Sequence, residues 1–197
     1  MTSLLPGFEF VKAAPVDRPF DSPDWFFEVK YDGIRALACC DGLRTVLVPE
    51  GRRRAPFPLL EKSIAHALAG IAAVLDGEIV CLDRDGRPDY QALSRRRDRA
   101  HFYAFDLLYL NGEDLRMLPL WERKRLLEDI AGGGPLLSYA RHVRERGVAF
   151  YEAACSHNLE GIVAKWMHGP YLAGAAPPAW VQIRNPLYQR TARRRSR

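Results

Sequence analysis

The stretch Glu28–Ala36 reads EVKYDGIRA and ends an apolar run, WFFEV, on a lysine, where a charge is costly unless something uses it. Lys30 has a carboxylate two residues before it, Asp32 and Gly33 after it and Arg35 beyond, giving the pattern K-x-D-G-x-R. A lysine amine attacks an electrophile only when neutral, and its unperturbed pKa is ~10.4. Burial and neighbouring cations lower that value, so a nucleophilic Lys30 calls for apolar walls and positive groups around it. Arg35, Lys165 and Arg184 are the cations on hand for this, and the same charges would stabilise a phosphate during transfer. Four further apolar segments each carry ionisable residues that a plain core would exclude: LDGEIV (75–80), FYAFDLLYLNG (102–112), LEGIVAKW (159–166) and WVQIRNP (180–186).

Strands and hairpins must position these residues. FFEVKYDGIRALACC leads through Asp41-Gly42 into LRTVLVP, a hairpin signal. AVLDGEIVCLD reaches Asp85-Gly86, and FYAFDLLYL reaches Asn111-Gly112. Asp76-Gly77 reads as a turn beside Glu78. Helical patterns cover 59–70, 119–132 and 145–158, after which strands resume with GIVAKW and AWVQIRN. Hairpins interspersed with helices predict an α+β fold, mainly antiparallel sheets flanked by helices. On a strand Glu28 and Lys30 share a face. Glu160 and Lys165 have opposite parity, so both reach one site only if Glu160 precedes its strand or Gly161 bends it.

The 197 residues, 48% of them hydrophobic, predict one domain over residues 1–186 with a basic, disordered tail over 187–197. No run approaches the ~18 apolar residues of a membrane span, and the amino terminus lacks a basic-then-apolar signal pattern. A cytoplasmic protein without a membrane partner is therefore expected. Cys39 and Cys40 are adjacent, Cys81 and Cys155 stand alone, and no CxxC occurs, so reduced core thiols are expected. His66, His101, His142, His157 and His168 show no ligand spacing. The net charge of +5 is clustered in GRRRAP (51–56), SRRRDRAH (94–101) and QRTARRRSR (189–197). Guanidinium forks suit phosphate backbones, which points to nucleic acid as the partner.

Taken in order and spacing, the charged segments resemble the nucleotidyltransferase motifs of ATP-dependent DNA ligases, and in particular the ligase module of bacterial end-joining ligase D proteins. PFDSPDWFFEVKYDGIRA and YAFDLLYLNGEDLRMLPLWERKRLLE carry the resemblance, which covers roughly residues 10–186. It implies the DNA ligase/mRNA capping enzyme nucleotidyltransferase fold, which is ATP-grasp-like, with ATP and Mg²⁺ or Mn²⁺ as cofactors. Lys30 becomes the covalent lysyl-AMP, with Asp32 beside it in the same motif. Glu28 lies near the adenine amino group, Arg35 and Glu78 hold the ribose hydroxyls, and Phe105 packs on the nucleoside. Lys165 and Arg184 face the phosphate, with Gln182 in the same nucleotide-binding set. Glu160, with Glu78, binds the divalent metal, a hard cation that prefers carboxylate oxygen. The implied partner is nicked or broken double-stranded DNA, met as a monomer, with Ku-like end-joining proteins or an oligonucleotide-binding (OB) domain in trans.

Three departures from that family stand out. Its last motif reads W-x-K-x-K, and here the two lysine positions are Gln182 and Arg184. A Ser-Arg-Asn-Gly turn is replaced by VPEGRRRAP, where Arg52–Arg54 compensate from a shifted position. Only eleven residues follow Pro186, so no OB domain is expected in the chain. The resulting expectation is a minimal DNA ligase, forming lysyl-AMP and sealing 5′-phosphate/3′-hydroxyl nicks in DNA repair. A catalytically impaired DNA-end-binding protein is the alternative, with an RNA ligase or capping-type transferase as a third.

Overall fold

A computed structural model describes residues 8–51, 57–95, 97–132 and 134–190. The arginines at 52–54 and 96 and the segment 191–197 therefore lie outside the described residues. In chain order the first elements are β1 (Ala14–Pro15), β2 (Ser22–Val29), β3 (Ile34–Asp41), β4 (Thr45–Pro49), α1 (Pro58–Ala67), β5 (Ala72–Val80) and α2 (Tyr90–Arg95). They are followed by β6 (His101–Leu110), β7 (Glu113–Asp114), α3 (Leu120–Ile130), β8 (Leu137–Tyr139), β9 (His142–Glu145), α4 (Gly147–Ser156), β10 (Gly161–Trp166) and β11 (Trp180–Arg184). The described strands form two sheets, one ordered β1-β11-β10-β2-β9 and the other β4-β3-β5-β6-β7, with β8 also paired to β6. All pairings are antiparallel except β1 with β11 and β6 with β8. The α+β reading is borne out.

Three apolar cores follow from this layering. Leu60, Ile64 and Leu127 of α1 and α3 pack beneath the second sheet with Leu47, Leu75 and Phe102. Leu37, Val74 and Leu108 from that sheet meet Trp180 and Tyr171 between the sheets. Phe27, Ile162 and Ile183 of the first sheet cover Ala154 of α4. Cys39, Cys40 and Cys81 are buried free thiols, as their sequence spacing predicts. No helix among the described residues is long and apolar enough to cross a membrane.

Two sequence readings change. The run around Lys30 is not one strand: β2 ends at Val29, β3 starts at Ile34, and the two belong to different sheets. Lys30–Gly33 is thus the crossing between sheets. It needs glycine because a Cβ on Gly33 would come within 2.3 Å of the Ile79 carbonyl oxygen. Asp76-Gly77 is not a turn but lies inside β5, where the register against β6 shifts. By contrast Asn111 and Gly112 both have positive φ, 46° and 105°, as a tight hairpin between β6 and β7 requires.

Helix α3 is fastened to β6 by a buried ion pair. Arg123 Nε donates to Asp106 Oδ1 at 2.8 Å and Nη2 to Oδ2 at 2.9 Å, while Nη1 donates to the Leu118 and Gly169 carbonyls. Both side chains are wholly shielded from solvent. Removing one partner leaves an uncompensated buried charge, which costs ~3–5 kcal/mol. Arg123→Met is therefore expected to lower unfolding free energy by about that much. Urea titration followed by far-UV circular dichroism checks this, and a loss below about 1 kcal/mol would contradict the pair's place in the frame.

Candidate active site

The site is built where the two sheets meet. Glu28, near the end of β2, faces inward and is almost fully buried. Its Oε1 accepts from Lys124 Nζ of α3 at 2.6 Å, and its Oε2 from Lys165 Nζ of β10 at 2.7 Å. Burial opposes the charge on Glu28, but the two ammonium groups outweigh it and hold the carboxyl below its usual range. Lys165 is pushed down to about 8 by burial, with Glu28 pulling it back up and Lys124 pressing it lower. Lys165 Nζ also lies 4.0 Å from the Phe105 ring and 4.1 Å from the Trp180 ring, so its charge is sandwiched between aromatic faces.

On the opposite sheet Arg35 of β3 is equally engaged. It grips Asp76 of β5 through Nε at 3.1 Å and Nη2 at 2.6 Å, and Nη1 donates to the Val11 carbonyl at 2.6 Å. Asp76 Oδ2 also accepts the Tyr171 hydroxyl at 2.8 Å. The guanidinium lies over Phe10, Phe105 and Trp180. Arg35 and Lys165, expected to crowd Lys30 with positive charge, are each paired with a buried carboxylate, Arg35 with Asp76 alone and Lys165 with a Glu28 that it shares with Lys124.

Lys30 instead forms a 2.8 Å ion pair with Glu160, each side chain 19% exposed. The Lys30 amide donates to the Gly161 carbonyl at 3.0 Å, extending the ladder one residue past β2. The parity conflict resolves because β10 begins at Gly161, so Glu160 precedes the strand. Gly161 adopts φ +137°, and a Cβ there would stand 2.1 Å from the Ile183 carbonyl oxygen. Glu78 of β5, opposite Arg35, is pushed up to about 8. Burial is the main cause, Lys30 and Arg35 pull it down, and Asp76 and Glu160 add to the rise. At neutral pH the second carboxyl beside Lys30 is thus largely protonated.

Asp32 is buried in the crossing, and its carboxylate is held from the far end of the chain. Arg190 binds it through Nε at 2.7 Å and Nη2 at 2.6 Å, and the Tyr188 hydroxyl donates at 2.8 Å. Tyr188 and Arg190, counted in the expected tail, are thus hydrogen-bonded to the body.

A cavity of about 420 Å³ opens among Lys30, Glu28, Arg35, Glu78, Phe105 and Lys165. Val163 and Gln182 line it as well. Gln182 Nε2 donates to the Ala13 carbonyl at 3.2 Å. Of the expected site residues, three stand outside the cavity wall. Asp32 lies beneath the crossing, and Arg184 is exposed at the end of β11, opposite Gly161. Glu160 is the third, and it meets the wall only through its ion pair with Lys30.

Residues 12–184 match the family model described as the ATP dependent DNA ligase domain. The chain belongs to the ATP-dependent DNA ligase domain family. It is 36% identical over 187 residues to the Mycobacterium tuberculosis multifunctional non-homologous end joining DNA repair protein LigD, a span of 89% of this chain and 24% of that protein. It is 28% identical to the Bacillus subtilis SPbeta prophage-derived DNA ligase-like protein LigB, covering 88% of this chain and 66% of that protein. The crystal structure of the M. tuberculosis LigD ligase domain superposes with a TM-score of 0.77 at 31% identity, over 90% of this chain and 62% of that one. Chlorella virus DNA ligase-adenylate shares the fold, with a TM-score of 0.64 at 13% identity over 89% of this chain and 67% of that one. The chain spans about a quarter of the length of the LigD relatives.

Several ligase-domain residues escaped the sequence reading. Lys124 and Arg123 sit in a helix read only as amphipathic. Their signal is periodic: Leu120, Arg123, Lys124 and Leu127 form one core-facing stripe, and half of it is cationic. Asp76, Tyr171 and Trp180 are brought in by partners distant in sequence.

Glu78 generates a pH prediction. Its ordinary value is 4.5 and its folded value about 8, so the native state holds a proton that the unfolded chain releases across that window. Its contribution to stability is complete below 4.5 and is lost as pH rises through about 8. Glu78→Gln should flatten the decline between those limits, read from urea midpoints at pH 5 and pH 8. An unchanged slope would place the folded pKa near its ordinary value.

Proposed function

We propose that this chain is the adenylation domain of an ATP-dependent DNA ligase that works through a lysyl-AMP on Lys30 and seals 5′-phosphate/3′-hydroxyl nicks in double-stranded DNA. The observation that carries this reading is Lys30 itself. It is a half-buried amine on a cavity wall, held at 2.8 Å by Glu160, while the buried cations Arg35 and Lys165 on the same wall are paired with the deeper carboxylates Asp76 and Glu28. A mycobacterial DNA ligase D, 31% identical, has been solved in complex with ATP, which supports the same occupant here.

In this reading the neutral Lys30 nitrogen bonds to the α-phosphorus of ATP as the bond to pyrophosphate breaks, and the nitrogen gives up one proton and keeps one N–H. A DNA 5′-phosphate oxygen then displaces Lys30 from AMP, and a 3′-hydroxyl displaces AMP from the DNA end. Glu160 orients the amine and stands within reach of the departing proton. Phe105 and Val163 offer apolar surfaces from the two sheets to the base. A protonated Glu78 places a hydrogen-bond donor, rather than a second anion, near the ribose. Among the described residues no cluster of three or more ligands occurs. Glu160 nonetheless fits Mg²⁺ or Mn²⁺, which take one or two carboxylates and complete their shells with water and phosphate oxygen, and Glu78 would join it only on losing its proton to the ion. Such an ion neutralises phosphate charge when bound. Nicked or broken DNA in the cytoplasm, with Ku-like end-joining proteins or an OB domain, completes the setting.

Incubation with α-labelled ATP and Mg²⁺ or Mn²⁺, followed by denaturing electrophoresis, is expected to label the protein, and Lys30→Ala to abolish the label. Label in Lys30→Ala would overturn the nucleophile, and no label in either would favour a non-catalytic DNA-end-binding role. Gln182 presents an amide dipole where the family pattern has a charge, so self-adenylation is expected to limit the rate. Pre-adenylated nicks should be joined faster than plain nicks with ATP, and Gln182→Lys should narrow the gap by on the order of tenfold. Single-turnover rates on both substrates check this, and equal wild-type rates would contradict it.

A further inference from the structure

A second cavity, of about 380 Å³, lies against the first and shares Val29 and Tyr31 with it as a common wall. Its other lining includes Tyr103, Ser138, Tyr139, Arg141 and His142. The aromatic groups are fixed by one another. Tyr31 stacks on Tyr103 at 4.7 Å and 19°, and His101 packs against the same Tyr103 at 4.7 Å. His142 rests on Phe26 at 4.0 Å, and its Nδ1 lies 3.0 Å from the Tyr139 hydroxyl. Lys124 Nζ sits 4.5 Å from the Tyr139 ring. His101 Nε2 lies 2.9 Å from Ser138 Oγ. Burial pushes His142 down to about 4, helped by Lys124, so the imidazole is neutral at physiological pH and presents a flat, uncharged edge. Arg141 is exposed beside these rings, and among the described residues no hydrogen bond or ion pair engages it.

We propose that this cleft binds an unpaired nucleobase with its adjoining phosphate, presented by the DNA strand at the break. Rings pre-set by mutual stacking accept a flat heterocycle with little ordering cost, and base stacking tolerates any sequence because every base has a π-face. Hydroxyl and imidazole edges at Ser138, Tyr139 and His142 match the polar rim of a base. A purely apolar ligand would leave the Arg141 guanidinium without use, whereas a phosphate one bond from the sugar takes the guanidinium fork. The shared wall at Tyr31 places the bound nucleotide one side chain from the cavity proposed for the adenylate. The occupant therefore comes from the end being joined. The inference takes its ligand from the ligase reading above.

The test uses the full chain and nicked duplexes carrying 2-aminopurine at the nick, either mismatched or paired. Quenching of 2-aminopurine should be stronger for the mismatched base, and Arg141→Ala and Ser138→Trp, the latter filling the cleft, should each weaken mismatched binding by on the order of tenfold. Paired-base binding should change far less. Equal losses on both duplexes, or no loss in either variant, would overturn the cleft. A third arm titrates free 2-aminopurine riboside 5′-monophosphate. Variant-sensitive binding of that nucleotide without any mismatch preference on DNA would overturn the strand as the source. The wild-type preparation is also labelled with α-labelled ATP. Label without cleft binding sinks the cleft alone, and cleft binding without label sinks the ligase reading alone.

Discussion

The burial of the Glu28 carboxylate between two lysines is the constraint on which the rest of the molecule depends. An ionised group this deep is tolerated only when paired and hydrogen-bonded on every side. Glu28 comes from β2, Lys165 from β10 and Lys124 from α3, while Lys124 also donates to the Ala140 and Phe105 carbonyls. Three elements and both sheets are thereby fixed at one spacing, since any drift leaves a charge without its partner. An apolar trio of equal volume could hold the sheets together as firmly. It would not leave a cluster of two cations and one anion, with net positive charge, beneath a cavity suited to phosphates.

The same logic separates frame from chemistry. Arg35–Asp76 and Arg123–Asp106 are bidentate pairs, their aspartates wholly buried, and they tie strand to strand and helix to sheet. The pair that faces the cavity, Lys30–Glu160, is a single contact between partly exposed groups. A single contact can be exchanged for another ligand at low cost, whereas a buried fork cannot. Placing Lys30 in the crossing between sheets, rather than inside a strand, gives its side chain this freedom while its amide stays in the ladder through Gly161.

What was legible in the sequence follows from how local each signal is. Lys30, Glu78 and Glu160 were readable because each stands in or beside a short apolar run, and the fold class because Asp41-Gly42 and Asn111-Gly112 punctuate hairpins. Asp76 was misread as a turn residue because Asp-Gly is ordinarily a turn signal. Only the packing of Phe102 over Gly77, where a Cβ would lie 2.5 Å from the ring, explains a glycine inside a strand. The pairing of Lys124 with Glu28 across 96 positions, and of Arg190 with Asp32 across 158, was beyond any local pattern. Arg35 and Lys165 line the cavity with Lys30 as expected, but their carboxylate partners were hidden for the same reason. Sequence gives the charges, but only the fold says which carboxylate claims each one.

The strand that departs most from the family pattern then becomes intelligible in part. Trp180, Gln182 and Arg184 alternate along one face of β11, and their environments run from buried Trp180 to exposed Arg184. A cation at position 182 would sit on the cavity wall, within a few residues' breadth of Lys165 and above the Lys124–Glu28–Lys165 cluster. That cluster already carries an excess positive charge in a poorly screened place, so a further buried cation would raise the cost of charging it. An amide tied to the Ala13 carbonyl avoids that repulsion and still presents a dipole to the cavity. Arg184, exposed at the end of the strand, keeps its full charge where water screens it. The departure therefore removes positive charge from the cavity wall and keeps it only at the edge of the strand.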